Sequence, residues 1–138
     1  AGYDRAADVA ADDSVPSISS HHVAAQVAAV ATTIRGRNPA ELTEPELIGA
    51  GGRLSTIKLD GEQRGRLVAE VLETALTWAD ATGEAPRSGT LFDAALTERA
   101  LRARLEETYR ALARLADTPA ERHALVIRAN AARPRTLI

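Results

Sequence analysis

The chain contains no cysteine and no methionine among its 138 residues. The first absence excludes disulfides, CxxC redox chemistry, cysteine-ligated zinc and a thiol nucleophile. The second leaves the chain without an initiator residue, from which we expect a piece of a longer protein. Aromatics are also scarce: Tyr3, Trp78, Phe92 and Tyr109 make up 3% of the residues, whereas 45% are hydrophobic. The core must then come from Ala, Leu, Val and Ile, which favours packed helices over a β-sandwich, because strands are enriched in aromatic and β-branched residues. No apolar run approaches the roughly 18 residues of a membrane span. The nearest, Val23 to Ile34, is interrupted by Gln26, Thr32 and Thr33.

A mass of 14.6 kDa suits one domain, of a size that buries roughly 70% of its unfolded surface. Seventeen basic against nineteen acidic residues leave a net charge of −2, too balanced for an electrostatic binder of nucleic acid or membrane. The charge is uneven, however. From Arg99 to Ile138 nine arginines face four carboxylates, a local net charge of +5 and a candidate surface for a partner.

Caps and breakers decide the segmentation, since apolar residues recur at helical spacing almost throughout. A short first helix is expected from Tyr3 to about Asp12, closed by Asp13, Ser14 and Pro16. Ser19 or Ser20 then caps a second helix with Val23, Val27, Val30 and Ile34 on one face, ending at Gly36. Asn38-Pro39 starts a single turn. Thr43, Pro45 and Glu46 make a capping box with proline in the first turn, opening a helix whose buried stripe is Leu47, Ile48, Gly51, Leu54 and Ile57. Asp60 caps the next, with Gln63 at the capping-box position, and Leu67, Val71, Leu72, Ala75, Trp78 and Ala79 face inward. Gly83 closes it in the left-handed conformation. Glu84 to Thr90 is turn-rich and reads as a mobile loop. The next helix, capped at Thr97, has the stripe Leu101, Leu105, Thr108, Leu112 and Leu115. Its outer face pairs Glu98 with Arg102 and Glu106 with Arg110. Thr118-Pro119-Ala120-Glu121 repeats the capping-box signal for a last helix that Pro134 stops. Helices joined by turns this short lie antiparallel to their neighbours.

No residue set converges on a catalytic, cofactor or metal site. Gly49, Gly51 and Gly52 lack the third glycine of a G-x-G-x-x-G loop and the Gly-Lys-Ser/Thr of a P-loop, so they are read as points of close helix approach. His21 and His22 are adjacent and diverge by about 100° on a helix, which suits capping and first-turn packing better than a shared metal. His123 stands alone beside Arg122. Asp4, Asp8 and Asp12 form an acidic row without the glycine and alternation of an EF-hand, and are read as a solvated or docking face. Arg99, Arg102, Arg104, Arg110, Arg114, Arg122, Arg128, Arg133 and Arg135 are spread around their helices and interleaved with Glu, unlike a DNA-reading helix.

Three patches carry a resemblance. Pro16-Ser17-Ile18-Ser19-Ser20-His21, Ala75-Leu76-Thr77-Trp78-Ala79, and Leu125-Val126-Ile127-Arg128-Ala129-Asn130-Ala131-Ala132-Arg133-Pro134 resemble, in order and spacing, the C-terminal tetratricopeptide-like region of actinobacterial soluble serine/threonine kinases of the protein kinase G type. Gly49 to Lys58 and Glu84 to Leu96 match that pattern poorly. The resemblance implies an upstream redox-type metal-binding region in many members, then a kinase domain that uses ATP and magnesium, then repeats ending where this sequence ends. It also implies a cytoplasmic protein whose repeats serve dimer formation, support of the kinase domain and protein contacts. Kinase motifs are missing here: Phe92-Asp93 is followed by Ala94 rather than glycine, and no His-Arg-Asp loop precedes it.

The expectation is thus an all-α, single helical tetratricopeptide-like domain over residues 1–138, a degenerate array of about six helices in antiparallel hairpins. It would be non-catalytic, bind no cofactor or metal itself, and contact proteins, a second copy or the upstream kinase domain, but neither nucleic acid nor membrane. The competing reading is a free-standing helical adaptor or ligand-sensing regulator unrelated to kinases.

Overall fold

The computed structural model describes residues 14–83 and 89–135. In chain order these form α1 (Ser14–Arg35), a 3-10 turn (Pro39–Glu41), α2 (Glu44–Thr56), α3 (Gly61–Thr82), the two-residue strands β1 (Thr90–Leu91) and β2 (Ala94–Ala95), α4 (Glu98–Leu115) and α5 (Pro119–Ala132). The all-α reading holds, with five helices among the described residues. The expected helix over Tyr3 to Asp12, the Asp4, Asp8 and Asp12 row and most of the expected loop lie outside them.

Helix starts follow the side-chain chemistry. Thr43 and Glu46 form the complete capping box, each side chain bonding the other's backbone N–H. Asp60, Thr97 and Thr118 each accept the backbone N–H three residues on, from Gln63, Ala100 and Glu121, satisfying one of the orphan donors of each first turn. Glu121 uses its carboxylate differently: it accepts from Arg66 of α3 at 2.6 Å, tying the start of α5 to α3.

Three local expectations are corrected. Neither Ser19 nor Ser20 caps α1, which begins at Ser14. Pro16 falls in its first turn, where a proline loses no intrahelical hydrogen bond. Gly83 has a positive φ of 78° but a ψ of −157°, outside the left-handed helical region. Leu115 is half-exposed, at 50%, because it is the last residue of α4 and the chain leaves the packed face there; Tyr109 and Ala113 complete the buried stripe instead.

A single hydrophobic core joins all five helices. Val30 and Ile34 of α1 are buried, with Val23 and Val27 packed against them. From α2 come Leu47, Ala50, Gly51 and Leu54, and from α3 Val68, Ala69, Val71, Leu72, Ala75, Trp78 and Ala79. Leu67 and Ile48 are half-buried at its edge. α3, α4 and α5 run antiparallel in turn. Gly61 lies beside Leu115 and Gly65 beside Leu112, while Arg102 reaches Ala131 and Arg110 reaches Asn130.

The hairpin between α3 and α4 is a departure from pure helix. Thr90 pairs with Ala95 and Leu91 with Ala94, and its two turn residues, Phe92 and Asp93, have φ of 51° and 66°. Positive φ at both central residues is the pattern of a type I′ hairpin turn, whose twist matches that of the strands. Leu91 is driven into the core, 1% exposed, against Gly51. A Cβ on Gly51 would lie 2.5 Å from Leu91 Cδ1, so the close-packing reading of the glycine cluster holds at Gly51. Gly49 and Gly52 face open space.

Candidate functional site

A groove of about 1020 Å³ lies over α4, with α3 on one side and α5 with the residues after it on the other. Each element contributes at helical spacing. α3 supplies Glu73, Leu76, Thr77 and Asp80; α4 supplies Glu98, Arg102, Leu105 and Tyr109; Arg128, Ala131, Ala132 and Arg135 close the far side. The intervals of three and four residues put the α3 and α4 sets each on one helix face, and Arg135 joins from beyond the end of α5.

Tyr109 organises one end. Its hydroxyl donates to Glu73 Oε2 at 2.6 Å, and the Arg128 guanidinium stands 6.0 Å from its ring centroid, at the outer limit of cation–π attraction. Burial first, and then the Glu73 carboxylate, push the Tyr109 phenol up to about 12, so it is a fixed donor at neutral pH. Arg102 organises the middle. It donates to Glu98 at 3.0 Å and to the carbonyl oxygen of Ala131 at 3.3 Å, bracing α4 against α5. Leu76, Leu105, Ala79 and Ala132 give the floor an apolar strip.

The arrangement can hold a polypeptide segment by shape, an apolar strip and flanking charges. It has no nucleophile–base pair with an orienting third group, and among the described residues no cluster of three or more His, Asp or Glu could hold a metal. His21, His22 and His123 are exposed, and none of them lines the groove. Gly51 is filled by Leu91 rather than by a ligand. Phe92 and Asp93 are the hairpin turn.

The basic stretch is largely engaged within the fold. Arg110 and Arg133 both bond Glu106, at 2.6 and 3.4 Å, and together hold that carboxyl below its ordinary range, Arg110 most strongly. Arg104 pairs with Glu107 at 3.5 Å. Of the nine arginines, Arg102, Arg128 and Arg135 line the groove. Glu73, Tyr109 and Arg128 were not grouped by the sequence, in which they lie 36 and 19 positions apart. The spacing of Glu73, Thr77 and Asp80 down one side of α3 was the available signal. No described helix is long and apolar enough to cross a membrane.

Comparison with known proteins agrees with the helical architecture. The family model "Protein kinase G tetratricopeptide repeat" matches residues 1–136. The chain is 38% identical over 124 residues to the serine/threonine-protein kinase PknG of Mycolicibacterium smegmatis, covering 88% of this chain and 16% of that protein. It is 32% identical over 136 residues to PknG of Mycobacterium leprae, covering 98% of this chain and 17% of that protein. The chain thus spans about a sixth of the length of these curated relatives, and no solved structure matches it. With nearly its whole length matched, the chain belongs to the protein kinase G tetratricopeptide repeat family.

Proposed function

We propose that this chain is the non-catalytic helical repeat region of a PknG-like serine/threonine kinase, and that the groove over α4 docks protein segments. The observation that carries the reading is the groove itself, about 1020 Å³ and flanked by three helices, in a chain matched to a tetratricopeptide family. Concave surfaces of stacked helix pairs are built for this use. Catalysis, with ATP and magnesium, resides upstream in the parent protein, which acts in the cytoplasm. The docked segment comes from the parent's kinase domain, a second copy or another protein.

The absence of cysteine makes the test simple. A single cysteine replacing Thr77, in the groove, or Ala103, on the exposed outer face of α4, is coupled to a bulky maleimide. Association with the parent's kinase domain, or with itself, is followed by sedimentation across concentration. Blocking at Thr77 but not at Ala103 is expected; equal association by both labelled forms overturns groove docking. Incubation of the chain with ATP, magnesium and protein substrates is expected to give no phosphoryl transfer, and turnover overturns the non-catalytic reading.

A further inference from the structure

The groove is electrically polarised, and its charges are arranged in two levels. At one level Glu73 of α3, Tyr109 of α4 and Arg128 of α5 meet. Asp80 lies seven residues after Glu73, Arg102 seven before Tyr109 and Arg135 seven after Arg128. Because α4 runs antiparallel to α3, Asp80 and Arg102 share the second level, and Arg135, three residues past the end of α5, lines the same groove. Seven residues of helix advance about 10.5 Å. The α3 side is therefore acidic at two levels about 10.5 Å apart, and the opposite side is basic, carrying Arg128 on α5 and Arg135 just past its end, with Leu76 and Leu105 between. Among the described residues neither Asp80 nor Arg135 makes an ion pair, so both are available to an occupant.

The spacing selects the occupant's conformation. To satisfy Glu73 and Asp80 together, a bound segment needs two basic charges on the same edge about 10.5 Å apart. In an extended chain that distance is about three residues at roughly 3.3 Å each, and three residues place the side chains on opposite faces. In a helix it is two turns, and residues i and i+7 share a face. The cavity of about 1020 Å³ takes about two to three turns of a helix about 10 Å across.

Resting on the docking reading above, the geometry points to a partner helix with an apolar ridge, basic residues at i and i+7 along one edge, and acidic residues along the other. The acidic edge meets Arg128 and Arg135, the basic edge Asp80 and Glu73. Exchanging the edges merely reverses the direction in which the helix lies, so the polarity of the groove sets the orientation of the bound partner.

The test uses this chain and three Ala-rich helical peptides of about 16 residues, long enough to hold helix in water. They share one apolar ridge and carry mixed Glu and Lys edges, two Glu edges or two Lys edges. The mixed-edge peptide is expected to bind at least tenfold more tightly than either like-edged one, with affinity falling as salt rises. The double variant Arg128→Glu/Arg135→Glu makes both sides acidic and is expected to lose the mixed-edge peptide and gain the Lys-edged one, while Arg135→Glu alone is expected to shift both affinities part of the way. That gain cannot arise from misfolding, and Arg135, exposed beyond the end of α5, is the safer substitution. Equal binding of all three peptides, blocked by the Thr77 label, overturns the charge pattern while leaving groove docking intact. Binding by none also overturns the charge pattern, and groove docking is then judged by the Thr77 label in its own assay.

Discussion

The indole Nε1–H of Trp78 donates to the carbonyl oxygen of Leu42 across 36 residues, at 2.9 Å and out of contact with water. Leu42 ends the 3-10 turn between α1 and α2, so this bond fastens that connection to the middle of the core. Trp78→Phe keeps most of the apolar bulk but leaves a buried carbonyl without its indole donor. The expected loss is about 1–3 kcal/mol, read as a lowered denaturation midpoint with an unchanged slope.

The three glycines of α2 should respond in opposite directions. Gly49 and Gly52 face open space, and Gly→Ala there is expected to stabilise by about 0.5–1 kcal/mol through helix propensity. Gly51→Ala has the same propensity gain but drives its methyl into Leu91, which is fully buried and has little room to yield. Overpacking of this kind costs about 1–3 kcal/mol. Thermal denaturation should therefore rank Gly52→Ala above the parent chain and Gly51→Ala below Gly52→Ala.

The hairpin tip holds Asp93, an exposed residue, at φ 66°. A glycine relieves that steric cost, and type I′ turns favour it at this second central position. Asp93→Gly is expected to stabilise by about 0.5–1 kcal/mol, measured by chemical denaturation. Phe92 shares the positive φ but packs against the core, so its truncation loses packing that offsets any relief.

Alkaline and acid limits follow from groups shifted in opposite directions. Tyr109, raised to about 12, stays protonated in the folded chain after an unfolded tyrosine, near 10, has ionised. Its contribution is complete below about pH 10 and disappears as the pH climbs through 12. Tyrosinate absorbance should show one of the two tyrosines ionising near 12, and Tyr109→Phe should remove that step.

The carboxyls of Glu70 and Glu106 are held below their ordinary range, chiefly by hydrogen bonds from Arg35 and Arg110 respectively. Their contribution is complete above the unfolded value of about 4.3 and is lost as the pH falls through their lowered folded values. Stability measured against pH is expected to be flat from 6 to 8 and to fall below about 4.5. Glu106→Gln should flatten the acid slope. Both are near-surface pairs, so added salt should also reduce the slope.

Much of the fold could be read directly. Thr43, Asp60, Thr97 and Thr118 mark helix starts because a short side-chain oxygen meets an N–H three residues away. The buried stripes of α1 to α4 were legible for the same reason, since residues three and four apart share a face. The start of α1 was misplaced because serines are also common before a helix, whereas Pro16 fits its first turn equally well. The hairpin was not legible: Leu-Phe-Asp-Ala carries no Asn-Gly signal, and the seating of Leu91 on Gly51 beside it is a contact between residues 40 positions apart.

The groove divides the same way. Which residues share one side of α3 or α4 was implicit in spacing, and the family was legible from three short patches. That Glu73 meets Tyr109, that Arg128 stands over its ring, and that Arg110 and Arg133 converge on Glu106 depend on how neighbouring helices slide and rotate against each other. Side-chain volumes at Gly65, Leu112 and Ala129 set that fit, and no local pattern encodes it. The helices and their caps are properties of neighbouring residues, which is why the chain alone declares them. The polarised groove is a property of three helices in register, and it exists only once they have packed.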